Sequence, residues 1–226
     1  MLPSPLVSRT DRRQFFAVLL LWVLVGVFLV TRKLWFGGGM EFLVWNGFLA
    51  VLPLGMAWLA RRSAARGWLF AGLGLAWLVF FPNAPYLLTD LMHLRTSRPS
   101  VLPLDVFLLA SAAAAGTLAG IVSLRWMHEG LMRRGVGRWV GWGFVGAASV
   151  AAGFGVYLGR FQRWNSWDIV ARPSEVLSNA WSALGEVRVF GYAILLGLGL
   201  CVGYAVLTMF IGSPHSETPP PAGDQP

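Results

Sequence analysis

FFPNAPYLLTDLMHL, residues 80–94, contains two prolines at the end of an apolar run that begins at Gly67. Proline lacks a backbone N–H, and inside a helix it breaks or kinks the helix. The run from Gly67 to Phe81 would rise about 22 Å as an α-helix. The hydrocarbon core of a bilayer is roughly 30 Å thick. The sequence therefore predicts a membrane span that is broken at Pro82, before it has crossed the bilayer.

The composition of the whole chain is that of a membrane protein. Hydrophobic residues make up 56% of the 226 residues and charged residues 12%, whereas a soluble domain carries about 25% charged residues. We expect an all-α integral membrane protein, a six-span helical bundle with a proline-broken third span and an interfacial amphipathic helix. One domain would cover residues 1–212, and the proline-rich segment 213–226 would be a disordered tail. The spans are expected near residues 15–31, 42–60, 67–88, 104–124, 139–159 and 189–211.

The basic residues lie mainly between the apolar runs. The net charge is +8, but no continuous basic face exists to follow a nucleic-acid backbone, so we expect no nucleic-acid partner. With the N-terminus inside, ten Arg and Lys residues fall on the inner side and eight on the outer side. This count favours cytoplasmic N- and C-termini, and the expected location is the bacterial cytoplasmic (inner) membrane. His128 and Glu129 are expected in a solvated inner loop after the fourth span.

Polar side chains follow the two prolines at regular spacing. Tyr86, Asp90 and His93 stand at i, i+4 and i+7, and would share one face of a new helix. Asn83 is placed to cap that helix, whose free N–H groups would then favour an anion. The pattern predicts a polar site at this end of the third span.

Asp90 and His93 are compatible with three interpretations. Either could act as a general base in a catalytic site. The pair could instead supply two metal ligands, with Asp105 or Asp168 as the third. The simplest alternative is a polar helix end that is merely solvated. We expect no metal and no cofactor.

A second motif follows the fifth span at residues 155–168, GVYLGRFQRWNSWD. Arginine recognises phosphate or carboxylate through paired hydrogen bonds, and tryptophan offers a flat surface for apolar or cation–π contacts. Arg160 and Arg163 would hold an anionic headgroup, or Arg160 would pair with Asp90 as a strut between spans three and five; the two roles can coexist. If the helix continues past the interface, one face carries Tyr157, Arg160, Trp164, Trp167 and Asp168. The candidate ligand-binding residues are Asn83, Tyr86, Tyr157, Arg160, Arg163, Trp164, Asn165, Trp167 and Asp168.

The two motifs lie on the same side of the membrane whichever way the chain is oriented, because two spans separate them. We therefore expect one set of side chains to face the other across a cavity. The first set is Asn83, Tyr86 and Asp90, and the second is Arg160, Trp164 and Asp168.

Residues 173–186 predict a short amphipathic helix lying in the outer interface. Its apolar face would consist of Val176, Leu177, Ala180, Trp181 and Leu184. This helix would either cover the site as a lid or simply lead the chain back into the membrane.

Three Gly-x-x-x-Gly motifs lie within the apolar runs, and such motifs allow two helices to approach closely. They begin at Gly116, Gly155 and Gly199. Packing within one chain is favoured over dimerisation.

The two polar motifs together resemble a bacterial membrane family, domain of unknown function 1361. They read Pro-Asn-Ala-Pro-Tyr-x-x-Thr-Asp-Leu-x-His from residue 82 and Gly-x-Tyr-x-Gly-Arg-Phe-x-Arg-Trp-Asn-Ser-Trp-Asp from residue 155. The resemblance covers roughly residues 40–211. It implies a polytopic bacterial membrane protein, and it assigns no activity and no residue roles.

Three functions stay open on this evidence. The favoured one is a binding or accessory module for an anionic lipid or a lipid-linked headgroup at the outer interface, with membrane lipids as partners. A membrane-embedded hydrolase or transferase acting on a lipid-linked substrate is the first alternative, although the chain carries no familiar catalytic signature. A small-anion transporter is the second, although the spans lack the titratable residues near the midplane that ion-coupled transporters use.

Overall fold

The computed structural model of the chain describes residues 9–63 and 65–211, and every regular element in them is helical. The elements in chain order are α1 (Arg9–Phe36), α2 (Phe42–Arg62), α3 (Gly67–Phe80), α4 (Asn83–Tyr86), a 3-10 helix (Leu87–Thr96), α5 (Leu102–Met132), α6 (Arg138–Phe161), α7 (Asp168–Ala171), α8 (Pro173–Ala183) and α9 (Val187–Ile211). The predicted tail over 213–226 lies outside the described residues.

Within residues 9–63 and 65–211, six helical segments are long and apolar enough to cross a membrane. The third extends over Gly67–Thr96 and consists of α3, α4 and the 3-10 helix. The prediction of an all-α, six-span membrane protein with a broken third span is therefore confirmed. The chain is a multi-pass membrane protein.

The third span tightens at its prolines without turning back. The α-helix ends at Phe80, yet Phe81 and Leu87 keep right-handed helical dihedral angles, with φ and ψ of −55° and −38° at Phe81 and −60° and −22° at Leu87. From Leu87 onward the backbone forms a 3-10 helix, which has three residues per turn and rises about 2.0 Å per residue. The steeper rise lets the ten residues Leu87–Thr96 extend about 20 Å.

Glycines on two neighbouring helices, α5 and α6, form faces that pack closely against this broken segment. On α5, a Cβ atom at Gly116 would lie 2.5 Å from the Ala84 carbonyl oxygen. On α6, a Cβ atom at Gly155 would overlap the Pro82 ring, and one at Gly159 would lie 3.3 Å from the Tyr86 ring. The intrachain interpretation of the motifs at Gly116 and Gly155 is confirmed, because both glycine faces pack closely against the third span: Gly116 against its backbone, and Gly155 against the Pro82 ring.

The third glycine motif behaves differently. A Cβ atom at Gly203 of α9 would lie 2.7 Å from Ile121 of α5, whereas Gly199 has open space around its Cα. Only one of its two glycines is therefore required for close packing within the described chain.

Charged residues predicted to lie in loops are buried in ion pairs at one end of the bundle, which we call the Asp11 end. Arg61 of α2 donates to Asp11 of α1 at 2.9 Å and to Glu129 of α5 at 2.6 Å. Arg125 also donates to Glu129, at 2.7 Å. These contacts connect the first, second and fourth spans.

The predicted solvated loop at His128 and Glu129 is wrong. Both residues belong to α5, which continues to Met132, and His128 is fully buried with Nδ1 2.6 Å from the hydroxyl of Tyr204 on α9. The hydropathy of the sequence falls at Arg125, but the helix continues because carboxylates and a hydroxyl satisfy its polar side chains inside the bundle.

Candidate functional site

The centre of the predicted site is a buried ion pair at the opposite end of the bundle, the Asp90 end. Asp90 is 1% exposed, and Arg160 of α6 donates from Nη2 to its Oδ1. Arg160 also donates from Nε to Thr89 at 2.8 Å, and its guanidinium carbon lies 4.4 Å from the centre of the Tyr86 ring. Asn46 of α2 donates to the second carboxylate oxygen of Asp90 at 2.9 Å. The strut predicted between spans three and five is confirmed, and it also includes span two.

The 3-10 backbone determines which side chains share a face. With three residues per turn, Leu87, Asp90 and His93 follow one another along the helix. Leu87 and Asp90 are buried, while His93 is half-buried against Phe42, with ring centres 4.6 Å apart. The predicted α-helical face through Tyr86, Asp90 and His93 is wrong because its spacing assumed 3.6 residues per turn.

Asn83 does not cap a helix, which corrects the sequence prediction. Its amide nitrogen donates to the Phe80 carbonyl and to the hydroxyl of Ser166, both at 2.8 Å. The same hydroxyl donates to the Val79 carbonyl at 3.1 Å. α4 has only four residues and no side-chain cap, so the expected anion site at a helix N-terminus is absent here. Asn83 instead connects the third span to the loop after α6 through its hydrogen bond to Ser166.

That loop departs from α6 sooner than the sequence predicted. α6 ends at Phe161, and Arg163 adopts the left-handed region with φ of +62°, which costs a residue with a side chain about 1–2 kcal/mol. The Trp164 N–H bonds back to the Leu158 carbonyl at 3.2 Å. Trp164, Trp167 and Asp168 therefore do not extend a face of α6, and Arg163 lies exposed on the loop.

Asp168 stabilises the loop itself and does not face Asp90. It accepts the backbone N–H of Asn165 at 2.8 Å, and Arg172 donates to it at 2.9 Å. The hydrogen bond from the Asn165 backbone, followed by the one from Arg172, lowers the pKa of Asp168 below its ordinary value. Arg172 in turn lies 4.9 Å from the centre of the Trp164 ring.

Two further candidate ligand-binding residues, Tyr157 and Trp167, lie on opposite sides of the site. Tyr157 packs on Phe161 and on Tyr192 of α9, at ring-centre distances of 4.9 and 6.0 Å. Trp167 lies edge-to-face with Trp45 of α2 at 5.9 Å. Trp167 is therefore near the cavity described next, and Tyr157 is directed toward α9.

A cavity of about 400 Å³ lies beside the ion pair. α2, the segment 78–86 and α6 form its walls, and the loop 164–166 with α7 and α8 covers it. The lining is mainly apolar and carries no charged side chain. Its polar members are Asn46, Asn83, Tyr86, Trp164, Asn165 and Ser166. Four of the eleven predicted site residues line this cavity, namely Asn83, Tyr86, Trp164 and Asn165. The other seven lie outside its lining: Asp90, His93, Tyr157, Arg160, Arg163, Trp167 and Asp168.

α8 forms where the amphipathic helix was predicted, but its apolar residues divide between two sides. Val176 is buried and, together with Ala180, lines the cavity. Trp181 is 80% exposed and Leu184 is 42% exposed. One side of α8 covers the cavity, and the other presents apolar groups outward.

The carboxylates proposed as a third metal ligand are engaged elsewhere. Asp105 accepts from Arg32 at 2.7 Å and Asp168 from Arg172, so neither completes a site with Asp90 and His93. Across residues 9–63 and 65–211, no three His, Cys, Asp or Glu side chains group closely enough to hold a metal ion.

Sequence reasoning missed Asn46, which contacts both Asp90 and the cavity. It is the only strongly polar side chain in the apolar run 42–60. A lone amide in a membrane span needs a hydrogen-bond partner inside the protein, and that requirement was the available signal.

A family model described as "Protein of unknown function (DUF1361)" matches residues 45–202 of this chain. The chain belongs to the DUF1361 family. The match spans both polar motifs, from Asn46 to α9. No curated protein and no solved structure gave a match. For this DUF1361 protein, function is therefore argued from the geometry of the site.

Proposed function

We propose that this DUF1361 protein binds an anionic lipid or a lipid-linked headgroup in the cavity beneath α8, as a binding or accessory module of the bacterial cytoplasmic membrane. Both termini would be cytoplasmic, so the cavity would open at the outer face. One observation carries the proposal. Polar groups from three separate elements converge in an otherwise apolar cavity at the end of the helix bundle.

The size and lining of the cavity are those of a ligand site. Such sites measure about 300–1,000 Å³, and a few fixed polar groups orient the ligand on an apolar wall. Asn46 comes from α2, Asn83 from α4 and Ser166 from the loop, and each is held by a hydrogen bond to another part of the chain. Groups held in this way would be already oriented before a ligand arrives.

The rim of the cavity suits the region of lipid headgroups. Trp181 on the outer side of α8 is strongly exposed, and tryptophan concentrates where membrane meets water. Arg163 is exposed on the covering loop, and Arg172 has a half-exposed side chain above Trp164. Arg172 is paired with Asp168 and lies 3.7 Å from Glu175, so Arg163, which has no ion pair among the described residues, supplies the charge that would attract a phosphate.

The same geometry supports binding more than catalysis. A general base must approach the substrate within about 2.6–3.2 Å. Both oxygens of Asp90 are engaged by Arg160 and Asn46, and His93 lies against Phe42, outside the cavity lining.

The proposal is tested by filling the cavity from α8. Ala180→Trp places a large ring in the lining, whereas Ser178→Trp places the same ring on the exposed side of the same helix. Native mass spectrometry would measure retention of phosphatidylglycerol and phosphatidylcholine by the purified protein, after size exclusion shows both variants folded. Wild type and Ser178→Trp should prefer phosphatidylglycerol, and Ala180→Trp should bind it about tenfold more weakly. Equal retention by all three proteins, or no preference for the anionic lipid, would overturn the proposal.

A further inference from the structure

The orientation of two asparagine amides in the cavity is determined by their partners. Asn46 donates its amide nitrogen to the carboxylate of Asp90 at 2.9 Å. Asn83 donates its amide nitrogen to the Phe80 carbonyl at 2.8 Å. A carboxylate and a carbonyl only accept hydrogen bonds, so neither amide can exchange its nitrogen for its oxygen.

The orientation of the Asn165 amide, on the covering loop, is also determined by its partner. Its amide nitrogen lies 3.4 Å from the carboxylate of Asp168, which again only accepts. All three asparagines line the cavity. In each of them the remaining polar atom of the side chain, the amide oxygen Oδ1, has no hydrogen-bond donor from the described residues.

Asn165 is exposed and Asn46 and Asn83 are partly buried, so water can reach these side chains in the free protein. A ligand that displaces water from the three oxygens must supply donors in its place. An unpaired polar group costs about 1–3 kcal/mol when it loses water without a replacement partner. A phosphate oxygen at neutral pH offers acceptors, so it would not satisfy them. An ammonium group would donate, but the described lining has no carboxylate to pair with it, and the nearby carboxylates of Asp90 and Asp168 are already paired with arginines.

We propose that the headgroup taken by this cavity carries hydroxyl groups, as in a glycerol or sugar moiety, and that these donate to the oxygens of Asn46, Asn83 and Asn165. The inference rests on the proposed function and specifies its ligand class. An uncharged polyol matches the uncharged lining, while Arg163 on the adjoining loop remains available for the phosphate of an anionic lipid. Glycerol and sugar headgroups share this chemistry, and the experiment separates them.

The decisive comparison uses two lipids with identical acyl chains and charge. Phosphatidylpropanol lacks only the two hydroxyl groups of phosphatidylglycerol. Loss of these donors should weaken binding by about tenfold, the effect of roughly 1.4 kcal/mol. A parallel arm compares glucosyl-diacylglycerol with diacylglycerol, and the larger hydroxyl-dependent preference identifies the glycerol or the sugar as the source.

Variants assign the preference to the asparagine oxygens. Asn83→Leu keeps the approximate shape and should remove the preference for phosphatidylglycerol over phosphatidylpropanol. Asn165→Ala, on an exposed loop, should reduce it and serves if Asn83→Leu does not fold. Asn179→Leu is the matched control, because Asn179 is exposed on α8 and outside the cavity lining.

The outcomes distinguish this inference from the proposal beneath it. If both anionic lipids bind equally, and Ala180→Trp weakens both, the hydroxyl inference is overturned while the lipid site stands. If Asn83→Leu and Asn165→Ala fold and retain the full preference, the inference is also overturned. If neither lipid binds above background, the proposed function itself fails.

Discussion

Arg160 on α6 reaches across to the third span and holds the carboxylate of Asp90, which is almost completely buried. The same guanidinium bonds Thr89 and covers the ring of Tyr86. One side chain thus secures the segment just after the prolines. The ion pair lies outside the cavity lining but contacts Asn46 and Tyr86, which belong to that lining. Disturbing the pair should therefore affect both stability and ligand binding.

Removing one partner of this pair should destabilise the protein more than removing both. Asp90→Leu leaves Arg160 as an uncompensated charge, and Arg160→Met leaves Asp90 in the same condition; each should lower the free energy of unfolding by about 3–5 kcal/mol. The double variant should recover a large part of that loss. Denaturant unfolding in detergent measures all three, and strictly additive losses would contradict a direct coupling. Arg163→Met, at an exposed arginine, is the control.

Glycine at position 155 should be required for close packing. Gly155→Ala pushes a methyl group into the Pro82 ring and should cost about 1–3 kcal/mol in the free energy of unfolding. Gly143→Ala, on the same helix but with open space around it, should be neutral or slightly stabilising, because alanine favours helices. Thermal unfolding of the two variants gives the comparison. Equal shifts in Tm would show that the glycine face does not touch the third span.

Replacing either of two adjacent arginines at the Asp11 end should lower the free energy of unfolding by very different amounts. Arg61→Met removes a donor shared by the buried carboxylate of Asp11 and the partly buried carboxylate of Glu129, and should cost about 3–5 kcal/mol. Arg62→Met loses an exposed contact with the Trp58 ring, worth about 0.5–1 kcal/mol. Unfolding measurements on both variants test the difference. Similar stability of the two would argue against the buried network.

The covering loop should loosen in acid. Because the folded protein lowers the pKa of Asp168, its ionised form stabilises the loop fully above the ordinary aspartate pKa of about 3.9. That contribution is lost as the pH falls through the lowered pKa. Hydrogen exchange at residues 163–172 should therefore be constant, after correction for intrinsic rates, from about pH 7 to pH 5 and should show weaker protection below about pH 4.

A substitution separates this effect from general acid unfolding. Asp168→Asn removes the titrating group, so protection of the loop should be weaker at neutral pH and should lose its acid-dependent step. Persistence of the full step in this variant would assign it to another group.

The sequence was sufficient for the six spans, the break at Pro82 and the meeting of Asp90 with Arg160. It was insufficient where one side chain had two good partners. Asn83 could cap a helix or bond Ser166, and the choice depends on a loop 83 residues away. The 3-10 conformation of Leu87–Thr96 was likewise missed, because the spacing of Tyr86, Asp90 and His93 also fits an α-helix.

The ion-pair cluster at the Asp11 end shows a second limit of prediction from the sequence. Hydropathy treats every charge as exposed to water, so Arg61, Arg125 and Glu129 marked the predicted ends of spans. In the bundle they neutralise one another. α5 continues through Arg125 and Glu129 to Met132, whereas α2 ends at Arg62, directly after Arg61. Only the partner of each charge, supplied by another helix, decides whether it ends a span or lies within it.

The broken third span also has a consequence for biosynthesis. α3 has 14 residues and, at about 21 Å, is too short to cross a bilayer by itself. Arg160 follows Asp90 by 70 residues, which is several seconds of translation at about 5–20 residues per second. During that interval the nascent chain carries Asp90 without its arginine, and the helices bearing Gly116 and Gly155 emerge only later. The third span to be synthesised is therefore among the last to be completed, and the protein passes through an intermediate that the insertion machinery must shelter.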